Sequence, residues 1–121
     1  MSRHGEFVAL VIEQMALFGC PYVRAMFGGY GLYRDDCIFA IIADDRLYFK
    51  ADAVTRLAFE AKGLRPFTYV AGAKRVSLHY FEAPPEVFED PEVMQVWAQQ
   101  AYAVALRSKK VKRVSRRQTR E

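Results

Sequence analysis

The chain has 121 residues, is 52% hydrophobic and 26% charged, and carries a formal net charge of +4. That is the size of one domain with apolar material for a core, which excludes an intrinsically disordered chain. No apolar run approaches the roughly 18 residues that span a bilayer, and Met1-Ser2-Arg3-His4-Gly5 leads into no signal-peptide core, so no membrane segment is expected.

Phe7, Val11, Met15 and Phe18 recur at helical spacing, which predicts a first helix over 6–18. Gly19 and Pro21 then stop it. Residues 22–34 are expected as one long strand interrupted by Gly28, Gly29 and Gly31. Glycine inside a strand marks a bulge, a bend or a close backbone approach, so Phe27-Gly28-Gly29-Tyr30-Gly31 is read as a structural motif. The functional alternative is a phosphate cradle. A Walker loop, however, ends in Gly-Lys-Ser/Thr and opens a helix, whereas these glycines lead into another strand.

Asp35-Asp36 and Asp44-Asp45 separate three runs rich in aromatic and β-branched residues, the pattern of an antiparallel meander. The middle run, Cys37–Ala43, is apolar without alternation, so both of its faces should be buried. Helices would cover one face, and the last helix or a second copy of the chain the other. The third run, Arg46–Lys50, is mixed and is expected nearer an edge. Asp52 is a good cap for a second helix over 53–62, with Val54, Leu57, Ala58 and Ala61 as its apolar stripe and Gly63 as its stop.

Strands are predicted at 67–70 and 75–81, joined by Ala71-Gly72-Ala73-Lys74. Pro84-Pro85 breaks the sheet. Asp90-Pro91 starts a last helix from 91 to about 107, burying Val93, Trp97, Ala101, Val104 and Ala105. The order α-β-β-β-α-β-β-α describes an α+β fold with a five-stranded antiparallel sheet.

Residues 1–106 hold ten Lys/Arg against thirteen Asp/Glu, a net −3, whereas 107–121 hold eight against one, a net +7. We therefore read a folded domain over 1–106 and a basic C-terminal tail over 107–121. Arg107, Lys109, Lys110, Lys112, Arg113, Arg116, Arg117 and Arg120 fall within fourteen residues. Such a density neutralises several phosphates and binds nucleic acid without reading its sequence. The alternatives are a solubilising, disordered end, or a continuation of the last helix through 109–113 that complements its negative C-terminal dipole.

Residues that carry chemistry are sparse. His4 lies at the terminus and His79 in an alternating strand, and no Ser-x-x-Lys or Gly-x-Ser-x-Gly string accompanies them. Cys20 and Cys37 are read as free, partly buried thiols. With the two histidines they lack the close spacing that preorganises a metal site. The expectation is no catalytic residue, no metal and no cofactor. Tyr30, Tyr33, Tyr48, Tyr69 and Tyr80 could stack bases, but such platforms sit in positive grooves. On an acidic body, core and dimer packing is the better reading.

The string Met26-Phe27-Gly28-Gly29-Tyr30-Gly31-Leu32-Tyr33, followed by Phe39-Ala40-Ile41-Ile42 and Asp44-Asp45-Arg46-Leu47-Tyr48-Phe49-Lys50-Ala51-Asp52, resembles the N-terminal domain of the TfoX/Sxy family. The likeness continues through Gly63-Leu64-Arg65-Pro66-Phe67-Thr68-Tyr69, Leu78-His79-Tyr80-Phe81-Glu82 and Pro84. Asp36 stands where the family pattern usually has glycine, and the resemblance leads us to expect a cytoplasmic, single-domain member without the second, C-terminal domain of full-length TfoX proteins. The resemblance implies a two-layer fold akin to the type III secretion chaperones, an architecture that often dimerises. It also implies a non-enzymatic role in inducing natural competence genes with a cyclic-AMP receptor protein, that is, transcriptional regulation through a protein partner. Two other readings stay open: a homodimeric protein-binding adaptor unrelated to competence, and a DNA-binding accessory protein acting through its tail. A small-ligand sensor would need a cavity beside the glycine-rich bend.

Overall fold

Four aspartates, in two adjacent pairs, take left-handed backbone angles and fold the first half of the chain. Asp35 and Asp36 have φ of 50° and 62°, and Asp44 and Asp45 have φ of 52° and 57°. Positive φ at both central residues gives the hairpin turn whose twist matches the flanking strands, and aspartate tolerates that region better than most side chains. The computed structural model describes residues 3–120 apart from Phe27 and Gly72, and their side chains except at 3, 4, 69–71, 74–78 and 110–120.

The elements run α1 (Arg3–Gln14), β1 (Tyr22–Met26), β2 (Gly29–Arg34), β3 (Cys37–Ala43), β4 (Arg46–Lys50), α2 (Arg56–Ala61), β5 (Pro66–Ala71), β6 (Lys74–Glu82), a 3-10 turn (Pro85–Phe88) and α3 (Pro91–Arg120). The strands form one antiparallel sheet in the order β1-β2-β3-β4-β6-β5. The fold is α+β, as expected, but the sheet has six strands, not five.

The extra strand comes from the glycine-rich stretch. Residues 22–34 are not one kinked strand. Gly28, at φ +75°, lets the chain reverse fully, and Met26 pairs with Gly29 across the new hairpin. The close approach expected of the glycines is real at the next two. A Cβ on Gly29 would collide with the backbone carbonyl of Ile42, and one on Gly31 would sit 2.6 Å from the Met26 sulfur. A register shift between Leu32 and Tyr33 leaves Phe39 of β3 as a bulge.

β4 is interior rather than near an edge, because β6 pairs along its far side. Its mixed sequence reflects alternation: Leu47 and Phe49 are buried, whereas Arg46 is exposed and Tyr48 and Lys50 are half-buried. The edges are β1 and β5.

One apolar cluster joins the helices to one sheet face. Val11, Met15 and Phe18 from the α1 region meet Leu32, Phe39, Ala40, Ile42, Leu47 and Phe49. α3 adds Met94, Ala98, Ala101 and Ala105, and the three alanines let its backbone lie close over β3 and β4. Of the stripe expected on α3, Ala101, Val104 and Ala105 are buried, and Val93 and Trp97 are half-buried. α3 therefore lies on the core face and does not cover the other one. On that other face Ile41 is still only 8% exposed, beside its cross-strand neighbour Tyr48, whose ring packs edge-on against Phe67.

α2 reverses the expected burial. Val54 is 75% and Leu57 62% exposed, Ala58 and Ala61 are also exposed, and Phe59 is the buried residue. Phe59 stacks on Phe81 at 5.4 Å and tilts against Trp97 at 5.0 Å. The slot between Phe81 and Trp97 holds a ring, and aromatic packing there adds to the burial of Phe59. Asp52 caps as expected, but the cap serves a turn, and α2 proper begins at Arg56. Gly63, at φ +72°, ends it, with the Leu64 N–H donating to the Phe59 carbonyl at 3.1 Å.

Candidate functional site

The junction between α3 and the body carries polar side-chain contacts made across long stretches of sequence, among them Gln95 Nε2 donating to the Leu17 carbonyl at 3.1 Å. Tyr102 sits on α3 opposite the β2–β3 turn, and its hydroxyl donates to Asp35 Oδ2 at 2.7 Å. That hydrogen bond holds the phenol above its ordinary pKa. Arg34, from the same turn, lies over the Phe18 ring at 4.7 Å and the Tyr102 ring at 5.1 Å. Its Nη1 also donates to the Phe18 carbonyl at 3.1 Å. One guanidinium thus ties the end of the α1 segment, the first aspartate turn and α3 together.

A second clamp lies farther along. Arg107 Nη2 reaches Asp52 Oδ2 at 2.8 Å. The other carboxylate oxygen accepts from the backbone N–H groups of Thr55 (2.8 Å) and Val54 (3.1 Å), while Thr55 Oγ1 accepts from the Asp52 N–H (3.0 Å). The Thr55 N–H and then Arg107 pull the Asp52 carboxyl down to about 2. Asp52 was legible as a helix cap, but not as the partner of a residue 55 positions away. Nothing in the sequence marks the Tyr102–Asp35 contact, made across 67 positions.

α3 does not end near 107 but continues to Arg120. Of the eight basic residues singled out in the tail, Arg107 is the Asp52 anchor and Lys109 is half-buried. The backbones of Lys110, Lys112, Arg113, Arg116, Arg117 and Arg120 are helical, and their side chains lie outside the described residues. The glycine motif is separate from this junction. Gly28 turns the β1–β2 hairpin, Gly29 and Gly31 press against neighbouring strands, Tyr30 packs on the core, and Phe27 lies outside the described residues. These residues lead from strand to strand, so no helix N-terminus follows them.

The remaining chemistry is scattered. His79 is exposed on β6 and shares a cleft with Asp52, Arg56 and Glu60. Among the described residues lining that cleft there is no Ser, Thr, Cys or Lys to act as a nucleophile. Cys37 is buried, but Cys20 is exposed rather than partly buried, and both thiols are free. Among the described residues no three His, Cys, Asp or Glu side chains gather as a metal set, and no helix is long and apolar enough to cross a membrane. The tyrosines divide. Tyr30 packs towards the core, while Tyr48 and Tyr80 lie on the helix-free face, where burial raises both phenols, that of Tyr80 to about 12.

The family model of the TfoX N-terminal domain matches residues 13–105. The DNA transformation protein TfoX1 of Aliivibrio fischeri is 35% identical over 66 residues, which are 54% of this chain and 31% of that relative. The match thus spans about a third of the relative's length.

Proposed function

Because the chain belongs to the TfoX N-terminal domain family, we propose that it serves DNA transformation as a non-catalytic regulatory domain, acting on competence-gene transcription through protein contacts in the cytoplasm. The observation that carries this reading is the extent of the family match. Residues 13–105 take in all six strands, α2 and the part of α3 seated on the sheet. The similarity to a protein named for DNA transformation supports the process. The outward Val54, in the turn before α2, and Leu57, on α2, suit a contact with a transcription-regulator partner, because an exposed apolar patch rimmed by polar residues marks an interaction site. The helix-free sheet face suits a homodimer.

The test is genetic and quantitative. Deleting the gene in a naturally transformable host should lower transformation frequency and competence-gene transcripts together, and the intact chain should restore both. A Val54→Glu, Leu57→Glu double variant, folded by circular dichroism, should restore neither. Transcripts unchanged by the deletion under inducing conditions would leave an adaptor role outside competence as the better reading.

A further inference from the structure

We propose that α3 beyond Arg107 is a rigid arm for duplex DNA, which sets a stripe of seven cations against backbone phosphates. The helix is continuous from Pro91 to Arg120, so residues 107–120 extend it by about 20 Å. With 3.6 residues per turn, Lys109, Lys110, Lys112, Arg113, Arg116, Arg117 and Arg120 occupy positions within one arc of about 160°. Ser108, Val111, Val114, Ser115, Gln118 and Thr119 occupy the complementary arc, together with Arg107. Arg107, the one basic residue of 107–120 off the stripe, pairs with Asp52 of the body. A solubilising end has no need of this separation, and the helix dipole accounts for cations in the last turn only.

The chemistry of the segment favours one partner. Duplex DNA presents closely spaced phosphates beside a major groove about 12 Å wide that admits an α-helix, whereas the A-form RNA groove is deep and narrow. Residues 107–121 contain no aromatic side chain, so they offer no stacking platform for single strands. The complementary arc holds only two apolar residues, Val111 and Val114, too few for a membrane-seated amphipathic helix. The net −3 of residues 1–106 turns the rest of the molecule away from phosphate. The Tyr102 and Arg107 clamps fix the direction in which the arm leaves the body. Binding of this kind is indifferent to base sequence. It is also independent of the transformation role, since duplex affinity and transcript levels are separate readouts.

The experiment is fluorescence anisotropy of a labelled duplex of about 20 base pairs, titrated with the full chain from about 50 to 200 mM salt. Two full-length variants accompany it. One is Lys109→Gln, Lys112→Gln, Arg113→Gln, Arg116→Gln. The other keeps the composition of residues 108–120 but permutes their order, so that the cations surround the helix. Circular dichroism confirms matched helix content. With four or five phosphates engaged, affinity of the natural chain should fall about 100- to 500-fold across that salt range. The glutamine variant should bind at least about 30-fold more weakly, and the permuted one at least about 10-fold more weakly with a shallower salt dependence. The proposal is overturned if the natural chain fails to bind at the lowest salt, or if the permuted chain binds as well. It is equally overturned if an RNA duplex, a single strand or a phosphatidylserine vesicle is bound more tightly than duplex DNA.

Discussion

Phe59 and Asp52 show how much one side chain can decide in a domain this small. The Phe59 ring is fully buried between Phe81 and Trp97, so Phe59→Ala removes a well-packed aromatic and leaves a cavity. It should cost about 3–5 kcal/mol in urea unfolding, whereas Leu57→Ala, on the exposed side of the same helix, should stay within about 0.5 kcal/mol apart from propensity. Asp52 acts through charge. Its folded pKa of about 2 lies below the ordinary carboxyl value of 3.8, so its stabilisation is present above the unfolded value and is lost as pH falls through the folded one. Because its side chain is 32% exposed, solvent screening limits the Arg107 pairing to about 1 kcal/mol or less. Asp52→Asn keeps the capping geometry but removes the charge. It should flatten the acid limb of the stability curve between about pH 4 and pH 2, most clearly at low salt.

At the scale of elements, the β1–β2 hairpin gives a ranking that a simple glycine-is-flexible account would miss. Gly29→Ala places a methyl against the Ile42 backbone, which cannot move without breaking the β2–β3 ladder. Gly31→Ala meets the ends of the Met26 and Ile38 side chains and the edge of the Tyr33 ring, side chains that can shift where the backbone cannot. Gly28→Ala has open space but a left-handed φ of +75°, costing about 1–2 kcal/mol. Thermal melts should therefore order Gly29→Ala as the most damaging of the three. A melt of Gly29→Ala matching the natural chain would mean that β2 and β3 are less closely apposed than described. Asp36→Gly tests the same physics in the opposite direction. Asp36 sits at φ 62° in a two-residue turn that favours glycine, so the substitution should stabilise by up to about 1 kcal/mol.

At the scale of the whole molecule, the sheet has one face sealed by helices and one covered only by side chains, with Ile41, Tyr48 and Phe67 on the second. If a second copy meets that face, as proposed, Tyr48→Glu should convert a dimer to a monomer in sedimentation equilibrium, and Val54→Glu should not. A natural chain that is monomeric at tens of micromolar would remove the homodimer. The same asymmetry puts all of α3 on one side, so the direction of its basic extension follows from how the rest of α3 is seated. Tyr102→Phe should leave the fold intact but raise amide exchange near the end of the seated segment, because the Asp35 contact is lost.

The sequence by itself determined the elements whose causes are local. The paired aspartates make turns, Asp90-Pro91 opens a helix, Gly63 closes one, and the apolar spacing of Val11, Met15 and Phe18 fixes a buried face. The likeness to TfoX N-terminal domains was also legible there, because its motifs lie in order along the chain. Tertiary structure alone decided the rest. Gly28 reads the same in a kink as in a hairpin until Met26 finds Gly29. The alternation of β4 reads as an edge until β6 pairs beside it. Val54, Leu57, Ala58 and Ala61 outvote one phenylalanine in a periodicity count, but lose to it once Phe81 and Trp97 offer a slot. The clamps on α3 join residues 55 and 67 positions apart, a distance over which local pattern carries no information and only packing brings the partners together.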